Sequence, residues 1–136
     1  MNPIIRIFVI LLSILVASIA SAADYPSPTE GDFTIRDFKF ASGETLPELR
    51  LHYRTLGTPQ KDAQGRTTNA VLIMHGTTGS GAQFIHTEFA GELFGKDQPL
   101  DATKFFVVLP DGIGHGKSSK PSDGMHAKFP RYGILT

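Results

Sequence analysis

The sequence of 136 residues contains no cysteine and has no net charge. Without cysteine there can be no disulfide, so an apolar core has to stabilise the fold. Lys and Arg together number 13, as do Asp and Glu. This balance leaves no excess positive charge to attract nucleic acid or an anionic membrane surface, so neither is predicted as a partner.

Histidine pairs at metal-ligand spacing are also missing. The five histidines are scattered, and no two of them fit a pattern such as H-E-x-x-H. We therefore expect no metal site and no cofactor. The five are His52, His75, His86, His115 and His126.

The one long apolar run lies at the N-terminus. A positive segment ending at Arg6 precedes an almost wholly apolar stretch over residues 7–19, and Ala20-Ser21-Ala22 offers a small-x-small cleavage site. This pattern predicts a signal peptide over residues 1–22. An uncleaved anchor is the alternative, but the run is shorter than the roughly 20 residues that a bilayer span needs. We expect an exported protein, periplasmic or secreted, with no stable membrane span after cleavage.

After the signal peptide, the sequence predicts a linker followed by an antiparallel pair of strands. Residues 23–31 (ADYPSPTEG) are rich in proline and small polar residues, which predicts a linker, with the folded domain over residues 32–136. Residues 33–40 (FTIRDFKF) and 49–56 (LRLHYRTL) alternate between apolar and polar. This period of two, interrupted by a turn, predicts two strands with one buried face each.

The pattern then changes to continuous apolar runs. Residues 70–74 (AVLIM) and 105–109 (FFVVL) predict strands covered on both faces, as in a parallel sheet. Between them, the apolar residues of 82–94 recur at spacings of one, three and four, which predicts a helix. The order predicts an α/β fold in which the antiparallel pair leads into a right-handed βαβ crossover.

A glycine-rich loop, HGTTGSG at residues 75–81, directly follows the first of these buried strands. In open α/β sheets, ligands bind beyond the carboxyl ends of strands. Small residues let the backbone approach a ligand, and its N–H groups can point at a developing negative oxygen. A tight turn that binds nothing is the alternative, and spacing alone leaves both open. The candidate residues of an oxyanion hole or substrate pocket are His75, Gly76, Thr77, Thr78 and Gly79.

Neither serine that lies near glycine fits the nucleophile motif G-x-S-x-G. Around Ser80 the glycine positions hold Thr78 and Ala82, and Ser118 is followed by Lys120 where a glycine is required. The sequence therefore assigns no catalytic serine to this chain.

A second glycine-rich loop, at residues 112–118, follows the second buried strand. A phosphate-binding loop ending in Gly116-Lys117-Ser118 would need glycine at position 111, which is Asp111, so nucleotide binding is not predicted. Asp111 precedes a glycine and is expected to form a turn rather than act as a catalytic acid. His115 is expected to line or support the rim of a pocket, and Lys117 to be a solvated charge.

Four segments in this order resemble the α/β-hydrolase superfamily, and more narrowly its homoserine O-acetyltransferase-like branch. They are LHYRTLG at 51–57, HGTTG at 75–79, FFVVLPDG at 105–112 and IGHGKSSKP at 113–121. The resemblance runs from about Phe33 to Thr136. It implies the N-terminal part of an α/β-hydrolase fold, incomplete at this length because large single α/β domains commonly need roughly 200 to 250 residues.

The resemblance also implies roles for particular residues. The backbone N–H of Thr77 would be one oxyanion donor, with His75 and Gly76 shaping the turn, while the second donor would follow the nucleophile. The triad of serine, aspartate and histidine would lie beyond Thr136, so this chain is expected to be inactive alone.

For a full-length parent, the sequence favours a serine hydrolase that acts on an ester or related acyl bond of a small molecule. Hydrolysis is preferred because acetyl-coenzyme A is a cytoplasmic cosubstrate and the signal peptide directs export. A homoserine O-acetyltransferase-type acyltransferase is one alternative. A truncated binding protein without catalysis is another.

Overall fold

A computed structural model describes residues 25–133 of the chain. The signal peptide that the sequence predicts lies outside the described residues, as does the start of the linker. No helix among residues 25–133 is long and apolar enough to cross a membrane.

The first two strands form the predicted antiparallel pair. Strand β1 spans Thr29–Lys39 and strand β2 spans Thr45–Leu56, with Phe33 opposite Leu51 in their register. Strand β1 begins inside the segment that composition assigns to the linker. Pairing with β2 gives the backbone of residues 29–31 hydrogen-bond partners, and such pairing overrides local composition.

Two shorter strands complete a four-stranded sheet in the order β1-β2-β4-β3. Strand β3 spans Ala70–Leu72, and strand β4 spans Phe106–Pro110. These two run parallel, with Val71 opposite Val107, whereas β4 runs antiparallel to β2. The α/β architecture predicted from the sequence is therefore confirmed.

Strand β3 is less buried than its apolar run predicts. Leu72 is 63% exposed and Met74 is 59% exposed, so the expectation of a strand covered on both faces is wrong. Among the described strands β3 pairs with β4 alone and forms an edge. Leu72 and Met74 are two residues apart and share the uncovered face, while Ile73 packs on the core.

The single helix predicted over residues 82–94 is instead two short ones. A 3₁₀ helix spans Gly81–Ile85 and helix α1 spans Thr87–Leu93, separated by His86 in an extended conformation. In one continuous helix, Phe84 and Phe89 would project about 140° apart. The break lets both rings turn toward the core, where their centroids lie 5.1 Å apart.

Apolar side chains form two clusters, one of which packs the helices against the sheet. In that cluster Val107 and Leu109 alternate along β4 and are fully buried with Phe94 of the helical segment. The other cluster packs the final described segment, through Phe129, against the far end of the β1-β2 pair. Its buried members are Phe40, Leu46, Leu49 and Phe129.

The carboxylate of Asp111, directly after β4, joins three segments of the chain. Its Oδ1 accepts the N–H of Gly81 at 2.7 Å and Arg54 Nη1 at 3.1 Å. Its Oδ2 accepts the N–H of Lys117 at 2.8 Å. Asp111 is only 1% exposed, and its carboxylate does more than the turn-forming role that the sequence predicts. The residue holds the C-terminal ends of both glycine-rich loops against β2.

Neighbouring side chains reinforce this junction. The Ser118 hydroxyl is buried, donates to the Asp111 carbonyl at 2.7 Å and accepts the N–H of His52 at 2.9 Å. The Lys117 side chain is exposed, but its Nζ lies 2.5 Å from Glu30 Oε2. Lys117 is thus an ion-pair partner of β1 rather than a free solvated charge. Gly116 must lack a side chain here, because a Cβ would lie 2.0 Å from Asp111 Oδ2.

The same contacts determine the protonation of Asp111. Burial alone would raise the pKa of its carboxyl, but the N–H groups of Lys117 and Gly81 and the charge of Arg54 outweigh burial and lower the pKa. A carboxyl whose pKa is lower in the folded state stabilises the fold at a pH above its unfolded pKa of about 3.9. That stabilisation is lost as the pH falls through the lowered pKa.

We predict that Asp111→Asn lowers the free energy of unfolding at pH 7 by about 3 kcal/mol, because it removes the buried anion that pairs with Arg54 and places an amide group opposite backbone N–H donors. Urea denaturation of the 136-residue chain measures the change. The gap between the unfolding free energies of wild type and variant should narrow as the pH falls below about 4 and then through the lowered pKa of the folded wild-type carboxyl. The control is Glu92→Gln on the exposed side of α1, with an expected change within about 0.5 kcal/mol. Equal losses in the two variants, or a gap independent of pH, would contradict the role of Asp111.

Candidate active site

The two glycine-rich loops meet because they follow neighbouring parallel strands. Residues 75–81 lie beyond the carboxyl end of β3, and residues 111–118 lie beyond that of β4. Parallel strands bring such loops to one edge of a sheet, which is where α/β proteins bind ligands. Between the loops lies an open cleft of about 530 Å³. Its walls include His75, Gly76, Thr77, Gly112, Ile113 and His115.

Three of the five candidate residues line this cleft, namely His75, Gly76 and Thr77. The other two, Thr78 and Gly79, line a neighbouring hollow of about 430 Å³ beside the 3₁₀ helix. The sequence grouped all five because they are contiguous. The structure separates them because the chain reverses direction within the loop.

That reversal is a tight turn. The N–H of Gly79 donates to the carbonyl of Gly76 at 3.1 Å, which makes Thr77 and Thr78 the two central residues. Neither has a positive φ, so the turn accepts residues with side chains at both positions. Both threonines are exposed, and the backbone of Thr77 is thereby presented at the cleft.

The ring of His75 connects this turn to the second loop. Its Nε2 accepts the N–H of Gly112 at 2.8 Å, and its Nδ1 lies 2.7 Å from the carbonyl of Gly76. A backbone N–H can only donate and a carbonyl can only accept. These two contacts therefore define a neutral imidazole with its proton on Nδ1.

His115 joins the loops from the other side of the cleft. Its Nε2 contacts the carbonyl of Thr77, and its Nδ1 lies 3.1 Å from the carbonyl of Ile113. Both ring nitrogens face acceptors, so His115 is a donor in this site and neither nitrogen is placed to accept a proton from a nucleophile. The position of His115 on the rim agrees with the sequence prediction. Its ring centroid lies 5.1 Å from that of His75.

No sequence pattern predicts that Tyr132 lines the cleft. Its ring packs edge-on against Phe129 at 5.7 Å, and its hydroxyl lies where a Cβ on Gly114 would be. Tyr132 lies in an aperiodic segment, where neither alternation nor helical spacing assigns a side chain to a face. The position of Tyr132 at the cleft depends on the packing of Phe129 into the second apolar cluster.

Among the described residues, the cleft presents a hydrogen-bond donor but no serine paired with a histidine base. Within residues 25–133, the N–H of Thr77 makes no hydrogen bond, and no serine hydroxyl is hydrogen-bonded to a histidine ring. In the same range no group of three His, Asp or Glu residues is placed to hold a metal ion. A free N–H beside a cleft can bind an oxygen that becomes negative during acyl transfer.

No protein-family model matches the sequence. A probable acyltransferase of Methanothermobacter thermautotrophicus is 35% identical over 108 residues, which cover 76% of this chain and 31% of that protein. Other curated relatives, at 31% to 39% identity, are homoserine O-acetyltransferases and O-succinyltransferases. The chain thus spans about a third or less of the length of these relatives.

Solved structures give the same fold. An acetylester hydrolase from Corynebacterium glutamicum superposes with a TM-score of 0.63 at 25% identity, covering 76% of this chain and 29% of that one. A homoserine O-acetyltransferase from Bacillus anthracis superposes with a TM-score of 0.60 at 22% identity, covering 81% and 34% respectively.

The four-stranded sheet, the loops at its carboxyl edge and these relatives agree on one family. The chain forms an N-terminal part of an α/β-hydrolase fold, and it belongs to the α/β-hydrolase superfamily, related to the homoserine O-acetyltransferase-like branch.

Proposed function

We propose that this chain supplies the oxyanion-binding part of an exported serine hydrolase that cleaves an ester or related acyl bond of a small molecule. The observation that carries the proposal is the Thr77 N–H. It makes no hydrogen bond within residues 25–133, and it lies on a turn that walls the cleft between the two loops.

The chemistry follows from this donor. Attack on an acyl carbonyl produces a tetrahedral intermediate with a negative oxygen, and a donor that is fixed beforehand stabilises that oxygen without reorganisation. The second donor and the serine nucleophile belong to a G-x-S-x-G elbow, and the sequence contains no such motif. The proposal therefore assigns catalysis to a full-length parent and no turnover to the 136-residue chain alone.

Hydrolysis and acyl transfer differ in the group that accepts the acyl chain. Hydrolysis is favoured by the export signal that the sequence predicts over residues 1–22, since acetyl-coenzyme A is a cytoplasmic cosubstrate. The relatives named homoserine O-acetyltransferase and O-succinyltransferase favour transfer to a hydroxyl, which is the second candidate. A similar acyl-enzyme intermediate serves both reactions, so the Thr77 donor has the same role in either.

A pair of assays separates the candidates. The coding sequence is first extended past the codon for Thr136 until it reaches G-x-S-x-G, and the parent is purified beside the 136-residue chain. We expect the parent to hydrolyse a p-nitrophenyl acetate probe and the short chain to give only the background rate. Acetyl transfer from acetyl-coenzyme A to homoserine at a higher kcat/KM would favour the acyltransferase. A stop codon after Thr136 would refute both and leave the binding protein.

Two substitutions at Thr77 test the donor in that parent. Thr77→Ala keeps the N–H and should change kcat by less than about threefold, whereas Thr77→Pro deletes it and should lower kcat by about 10²–10³. Proline suits the first central position of a tight turn, so the turn itself should persist. Equal thermal stability of the two variants would show that the turn persists. Undiminished turnover in Thr77→Pro would exclude this N–H as the donor.

Export makes a separate prediction. Sequencing the N-terminus of the protein recovered from the periplasm or medium should give Ala23 as the first residue, because signal peptidase cleaves after small-x-small sites. A variant with Ala20 and Ala22 changed to Lys should keep the signal uncleaved. Recovery of the wild-type protein from a soluble cytoplasmic fraction with Met1 or Asn2 as its first residue would be inconsistent with export.

A further inference from the structure

We infer that His75 is a positioning residue whose neutral imidazole holds the Gly76–Thr77 peptide in a fixed orientation, and that protonation of His75 releases the ring, and the peptide bonded to it, from its anchor at Gly112. The inference rests on the proposed function only in assigning the Thr77 N–H to an oxyanion. The two hydrogen bonds of the ring can be tested without it.

The argument begins with peptide geometry. A trans peptide is planar, so the carbonyl of Gly76 and the N–H of Thr77 point in opposite directions. The carbonyl receives two donors, His75 Nδ1 at 2.7 Å and the N–H of Gly79 at 3.1 Å. Fixing the carbonyl therefore fixes the direction of the Thr77 N–H.

Packing restrains this peptide little, although His115 Nε2 contacts the carbonyl of the next residue, Thr77. Gly76 is exposed, and a Cβ built on it would have no heavy atom within 4 Å outside its own chain neighbours. Glycine also has wide conformational freedom, so without the ring the turn bond from Gly79 would be left to hold the carbonyl. The His75 bond supplies the restraint that packing does not.

The other end of the ring is anchored to a rigid part of the fold. The N–H of Gly112 donates to His75 Nε2 at 2.8 Å. The preceding residue, Asp111, is fixed by its buried carboxylate and by its own N–H, which donates to the carbonyl of His52 at 2.8 Å. His75 thus forms a bridge from the end of β4 to the turn at Gly76.

This bridge requires one tautomer in one charge state. A proton on Nε2 would face the Gly112 N–H, and two donors cannot bond to each other. Protonation of His75 therefore breaks the anchored end of the bridge. The titratable side chains that share the cleft with His75 among residues 25–133 are His115 and Tyr132.

The first test measures the tautomer. The 136-residue chain is labelled with ¹⁵N, and its imidazole nitrogens are observed by long-range ¹H–¹⁵N correlation at pH 8. We expect His75 to carry its proton on Nδ1, with Nε2 unprotonated, and the exposed His126 to serve as the reference. A His75 proton on Nε2, or an even mixture of the two tautomers, would overturn the proposal.

The second test separates the two bonds by substitution. In His75→Gln the side-chain oxygen can still accept the Gly112 N–H, whereas the shorter Asn in His75→Asn can donate only near Gly76. Amide exchange at Gly112 should be about fivefold faster in His75→Asn and close to wild type in His75→Gln. His126→Asn is the control, because asparagine tolerates the positive φ of 48° at that exposed site. Equal exchange at Gly112 in all three variants would refute the bridge.

The third test follows pH. In the wild type, the Gly112 and Thr77 amide signals should shift together with the His75 ring as the pH is lowered, and in His75→Gln neither should shift with that midpoint. Gly112 and Thr77 amide signals that do not change with the same midpoint as the His75 ring would refute the release of the ring from Gly112. If a variant fails to fold, the wild-type tautomer and pH series still decide the inference. An inactive parent with an intact bridge would instead refute the proposed function alone.

Discussion

One buried carboxylate organises the edge of the sheet at which the two loops meet. Asp111 accepts backbone N–H groups from Gly81 and Lys117, which lie 30 residues earlier and six residues later in the chain. Because both donors are main-chain groups, the carboxylate fixes the path of the backbone at the end of each loop rather than the direction of side chains. The bridge from Gly112 through His75 to Gly76 starts from this fixed position. The orientation of the Thr77 peptide thus depends, through several hydrogen bonds, on an ionised Asp111.

A buried charge of this kind needs compensation, since leaving an ion without water costs several kcal/mol. Arg54 supplies it through a hydrogen bond from Nη1 to Asp111. On its other side, Arg54 Nε lies 2.9 Å from Glu30 Oε1 but is out of line for a hydrogen bond. Glu30 is partly exposed, so solvent weakens this second attraction. The network therefore specifies one arrangement of the loops, and the apolar core supplies most of the stability.

The elements that were predicted correctly are those whose pattern of apolar and polar residues is visible within a few positions of the sequence. Alternation over residues 33–40 and 49–56 predicted β1 and β2, and continuous apolar runs predicted the parallel pair of β3 and β4. Two predictions were wrong, both at places where packing against other elements determines the structure. Leu72 and Met74 are exposed because no described element covers their face of β3, and the predicted helix breaks at His86 because Phe84 and Phe89 both turn to the core.

By itself the sequence determined the strands, the loops that follow them and the position of His75, Gly76 and Thr77 at a candidate site, because these depend on local periodicity and on glycine. Only the tertiary structure decided the burial of Asp111, the tautomer of His75 and the presence of Tyr132 in the cleft. Each of these depends on contacts between residues far apart in the chain, such as His75 with Gly112 and Arg54 with Asp111. A pattern of neighbouring residues contains no information about such partners, since folding alone brings them together.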